Sequence, residues 1–133
     1  MIVECSVSQL ADFPTCERWA IVRHAMYRQA AWRQQGVLWV PSLAPSARLL
    51  AWWRDRIACA PDADLSAAWG EYVQGWHAEK AADRRYAAAV LRAAEAARVG
   101  HLAVACWCRG DDGRCHRHLV IADVRAALQR GVA

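Results

Sequence analysis

A chain of 133 residues fits one domain, and its 56% hydrophobic content with eight Trp is enough to bury a core, which excludes intrinsic disorder. No stretch approaches the roughly 18 uninterrupted apolar residues of a membrane span, and the opening Met-Ile-Val-Glu-Cys lacks the basic and apolar regions of a secretory signal. The formal net charge of +4 favours anionic partners, although an Arg-preferring coding bias, with Lys80 the sole lysine, accounts for the basic count equally well.

The expected location is therefore the cytoplasm, with no membrane partner. There the six Cys are expected as thiols, metal ligands or nucleophiles rather than as disulfides. The acidic residues are dispersed and no basic block appears, so a dedicated nucleic-acid arm is not indicated.

In chain order, Ile2 to Val7 reads as a first strand. Ser8 to Cys16 reads as a loop or short helix broken at Pro14. Trp19 to His24 reads as a second strand, Met26 to Gln35 as a loop without a clean period, and Gly36 to Val40 as a short third strand or extended segment. Ser46 is placed to cap a helix carrying Leu49, Leu50, Trp53 and Ile57 at helical spacing, ended by Pro61. Asp62 or Asp64 can cap the next helix. Its stripe of Leu65, Trp69, Tyr72, Val73 and Trp76 is the clearest amphipathic signal and reads as core packing. A third helix is expected from about Ala81 to Arg98, with Tyr86, Val90 and Leu91 inward and Gly100 closing it.

His101 to Trp107 is apolar on both faces, as a strand covered by helices on both sides should be. The last helix starts near Cys115, buries Val120, Ile121, Val124 and Leu128, and has Gly131 as a C-cap candidate. Together these elements predict a single α/β domain over residues 1–133, with a mainly parallel sheet flanked by helices in a Rossmann-like arrangement.

Chemistry is concentrated where that last strand turns into the last helix. Cys106 and Cys108 stand before a polar loop, and Cys115, His116, Arg117 and His118 stand after it. The start of a helix offers free N–H groups and a positive dipole end, which favour an anion and lower a thiol pKa. Three readings follow. Cys106, Cys108, Cys115 and His116 or His118 have the ligand types of a zinc site, although Cys-x-Cys is an unusual spacing. Cys108 and Arg114 fit the Cys-x5-Arg pattern of a thiol phosphatase, with Asp111 and Asp112 counting against an anion there. The third and favoured reading is an enzyme-like domain that binds an anionic small molecule or nucleotide. Cys106 or Cys115 is then the reactive thiol, His116 the acid or base, and Arg117 with Arg23 the anion clamp. Structural roles compete throughout: Cys106 can be a small buried hydrophobe, and His24, His77, His101, Cys5, Cys16 and Cys59 belong to no motif.

The run Ala103 to Cys108, a polar loop, and Cys115-His116-Arg117 opening a helix resemble the C-terminal signature of the domain of unknown function 488 family. The segment Ser42 to Trp53, with its Leu-Ala-Pro-Ser core, is similar to a family segment preceding a helix. Trp69 and Tyr72 fall where the family has an aromatic helix, and Trp19 to Arg23 resembles its early strand. The resemblance covers residues 19–128 and does not extend to Met1 to Pro14. It implies a compact α/β domain whose marked positions are Cys106, Cys115, His116 and Arg117, with Arg23. Cys108 departs from the family, where an acidic residue is common. The alternative to an enzyme is a binding or regulatory module stabilised by zinc, with nucleic acid as a further candidate partner.

Overall fold

A computed structural model describes residues 1–59, 65–108 and 114–132. Four strands, β1 (Ile2–Ser6), β2 (Glu17–Ala20), β3 (Val37–Trp39) and β4 (Leu102–Cys106), form one parallel sheet in the order β1-β4-β2-β3. The helices are α1 (Gln29–Gln35), α2 (Ala47–Cys59), α3 (Leu65–Ala81), α4 (Arg84–Val99) and α5 (His116–Val132). The architecture is the Rossmann-like α/β arrangement expected from the strand and helix patterns. No helix among the described residues is long and apolar enough to cross a membrane.

The register explains why chemistry gathers at one edge. Ser6 pairs with Cys106 and Ala20 with Ala105, so β1, β4 and β2 end level with one another. β4 lies between two strands, and all five of its residues are buried. A strand with that position needs apolar side chains on both faces, as Leu102 to Cys106 supplies. In open parallel sheets the crevice beyond the carboxyl ends of the strands is the usual ligand site.

Several boundaries differ from expectation. Met26 to Gln35 is not all loop: Gln29–Gln35 is helical, anchored by buried Trp32 and closed by Gly36 in the left-handed region at φ 74°. One anchoring side chain in seven residues leaves no period to read. The second strand begins at Glu17 and pairs only to Ala20, although Ile21 N–H still donates to Ala105 O at 2.9 Å. β1 ends at Ser6, and Val7 opens a 3-10 turn, Val7–Asp12.

Ser46 caps α2 as expected, its hydroxyl accepting from Leu49 N–H at 3.1 Å. The α4 cap is Asp83, which accepts from the N–H groups of Arg85 and Tyr86, so that helix starts after Ala81 rather than at it. Leu91 faces outward at 62% exposed, and the inner face of α4 is made instead by Val90 and a row of Ala. Alanine carries little hydrophobic signal, yet lets helix and sheet approach closely. α5 runs through Gly131, which is therefore not its C-cap. Pro61, Asp62 and Asp64 lie outside the described residues.

Candidate functional site

Cys106 ends β4, and Cys115 immediately precedes α5. Burial of β4 in the sheet and of the α5 face made by Val120, Ile121 and Val124 brings these ends together. The Cys106 and Cys115 sulfurs lie 3.1 Å apart, both buried. Cys108 joins them: the three sulfurs are all within 4.8 Å of one another. Cys108 is the exposed member and lines, with Cys115 and His116, a cavity of about 220 Å³. Asp111 and Asp112, and most of the Cys-x5-Arg loop, lie outside the described residues.

His116 and His118 turn elsewhere. His116 Nε2 is 2.7 Å from the carbonyl of Ile21, and its ring lies 5.8 Å from that of Trp76. Burial pushes the His116 imidazole down to about 4, against the opposing pull of the Ile21 carbonyl. A neutral ring paired with a carbonyl carries its proton on Nε2, which assigns the lone pair to Nδ1. His118 Nδ1 lies 2.8 Å from Glu4 Oε1, directed to β1 rather than to the sulfurs.

Arg117 is 5% exposed, and its guanidinium is directed into the protein. It donates to the Cys5 carbonyl at 2.6 Å, lies 3.5 Å from the Cys106 sulfur, and makes a 3.4 Å contact with Glu4. It thus ties β1 to the β4 edge and sets a fixed positive charge beside the thiols. It does not line the cavity, whereas Arg23 does, with its Nε donating to Pro45 O at 2.9 Å.

The three thiols share protons unequally. Hydrogen bonds from Cys106, then Cys115, hold the Cys108 thiol well below the usual range. The Cys115 thiol is pushed far up because it donates to Cys106 and Cys108 and is buried. That of Cys106 also rises, first through its bond to Cys108, with Cys115 opposing. The helix start was expected to make Cys115 the thiolate. Burial and two sulfur neighbours outweigh the dipole, so the thiol held down is that of Cys108 and not that of Cys115.

The sequence reading did not anticipate the cavity wall. Trp53, Trp69, Tyr72 and Trp107 line it, as do Arg54 and Arg114. Trp69 and Tyr72 stack at 4.9 Å, and Trp53 meets Trp69 edge-on at 5.5 Å. The stripe on α3 does pack, with Tyr72 and Trp76 buried, but its half-buried end is also a surface of the cavity. The same periodicity serves both roles, so spacing alone does not distinguish them.

No curated protein and no solved structure matches the chain. A family model described as the active DUF488-N3 subclade matches residues 7–128, which carries the likeness from residue 19 back through the first 3-10 turn. With the Cys-ended central strand and the Cys-His-Arg helix start matched within that span, the chain belongs to the domain of unknown function 488 family.

Proposed function

We propose that Cys106, Cys108 and Cys115 hold a soft divalent cation, zinc foremost, beside a cavity that admits an anionic small molecule, in an enzyme-like domain. The observation that carries this reading is the gathering of three sulfurs within 4.8 Å at the carboxyl edge of the central strand. Three protein ligands with a fourth position left to water or substrate is the usual form of a catalytic zinc site, whereas structural sites take four. Neither nearby histidine supplies a fourth ligand as placed, since no imidazole nitrogen joins the three sulfurs within 4.8 Å. When bound, such a cation activates water or polarises an oxygen of the substrate. Arg117, beside Cys106, offsets part of the charge of three thiolates and holds the edge of β4 in place. The description of the matching family model as active is in keeping with an enzyme.

Metal analysis of protein purified without added zinc, followed by cobalt substitution, tests the proposal. Equimolar metal and a sulfur-to-cobalt charge-transfer band, both lost on Cys106→Ser, are expected. A second reading rests on the exposure of Cys108 between two buried thiols: the site works without metal, with Cys108 as nucleophile. Metal-free protein whose Cys108 is alkylated well ahead of Cys106 and Cys115 would overturn the metal reading and favour this one.

A further inference from the structure

We infer that the cavity beside the sulfurs takes a planar aromatic ring bearing an anionic group, in the size class of a nucleoside monophosphate. The inference rests on the reading of this cavity as a small-anion site and names the ligand class. Two sets of side chains converge there. Trp53, Trp69 and Tyr72 form one continuous aromatic wall, with centroid separations from 4.9 to 5.5 Å. Tyr72 is buried between Trp69 and Trp76 and holds the wall together, while half-buried Trp53 and Trp69 leave indole surface on the cavity for a flat ring to stack on.

Three arginines supply the opposite chemistry. Arg23, Arg54 and Arg114 all line the cavity, and no Asp or Glu is among its described lining residues. Arg23 spends its Nε on Pro45 O, and among the described residues its two terminal nitrogens meet no acceptor. Arg114 lines the same cavity and also bonds Ser66 Oγ at 3.3 Å. Guanidinium groups prefer the bidentate geometry of phosphate or carboxylate. A cavity of about 220 Å³ lies below the roughly 300–1,000 Å³ of sites for drug-sized ligands. That suits one ring system with its anionic group at the arginine rim, and not a dinucleotide.

Binding of AMP and UMP, with adenosine and inorganic phosphate as partial ligands, tests the inference through quenching of tryptophan fluorescence. Both monophosphates should bind saturably, and adenosine and phosphate each about tenfold or more weakly. Arg54→Ala and Arg114→Ala should each weaken the monophosphates about tenfold. Arg48→Ala, which removes the same charge outside this cavity, should leave binding unchanged. The inference is overturned by any of three results: no saturable binding to folded protein, phosphate binding as tightly as AMP, or Arg48→Ala weakening AMP as much as Arg54→Ala. Metal analysis and AMP titration of the same wild-type protein separate the two claims. Retained AMP binding in protein that never takes up metal would sink the metal reading alone, and equimolar metal without AMP binding would sink this one alone.

Discussion

The sulfur of Cys106, at the end of the central strand, lies 3.1 Å from that of Cys115, at the threshold of the last helix. Nine positions separate them in sequence. The two thiols are buried in the core beside β4, so their neighbours cannot relax freely around a change. Cys115→Ala is expected to lower stability by about 1–2 kcal/mol through lost packing. In metal-loaded protein the loss should be greater, because the cation stabilises only the folded form. Urea unfolding with and without a chelator measures both. Equal losses in the two conditions would show that Cys115 only packs.

Arg117 is expected to act through stability as well as through the site. Its guanidinium satisfies the buried Cys5 carbonyl and sits against Glu4. Arg117→Ala removes a charge-assisted bond to that carbonyl and the contact with Glu4, and is expected to cost about 2–3 kcal/mol. Arg117→Lys restores the charge but not the fork, and should recover less than half of the loss. Chemical denaturation of the three proteins gives the ranking directly.

Alkaline pH should weaken the fold through Tyr86. Burial, and then its 2.5 Å bond to Asp123, push the Tyr86 phenol well above 10. In the unfolded chain the phenol ionises near 10, so above that pH the unfolded form holds fewer protons than the folded one. Stability then falls as pH rises past about 10. Tyr72, raised mainly by burial, adds to the same limb. Tyr86→Phe should flatten the decline between about pH 9.5 and 11. A decline of unchanged steepness in the variant would assign it to other groups.

Ser46 connects α2, which carries Trp53 and Arg54, to α3. Its hydroxyl accepts from Leu49 N–H and donates to Glu79 Oε1 at 2.7 Å, while its backbone N–H donates to Glu79 Oε2 at 2.9 Å. Ser46→Ala removes the cap and one of the two bonds to Glu79. It is expected to cost about 1–2 kcal/mol. Faster amide exchange should be confined to the first turn of α2, which would loosen the cavity wall. Hydrogen exchange at Leu49 and Leu50 reads this out.

Much of the fold was legible because its signals are local. The all-apolar run Leu102 to Cys106 told of a strand covered on both sides, and Ser46 before Leu49 and Trp53 told of a capped helix. The Cys-His-Arg start of the last helix marked where the sulfurs of Cys106, Cys108 and Cys115 gather. Signals spread over few residues failed: the seven-residue helix around Trp32, and the Ala-built inner face of α4 that left Leu91 outside.

Sequence by itself determined the α/β class and the neighbourhood of the thiol cluster, because hydrophobic periodicity and residue chemistry are properties of contiguous chain. Only the tertiary structure could assign the parts. It placed exposed Cys108 and buried Cys115 on the cavity wall and left Cys106 buried outside that wall. It directed Arg117 to Cys5, and assembled Arg23, Arg54 and Arg114 from three separate segments against one aromatic wall. Which way a guanidinium points, and which thiol is held down, depend on burial and on partners distant in sequence; neither exists until the sheet and helices have packed.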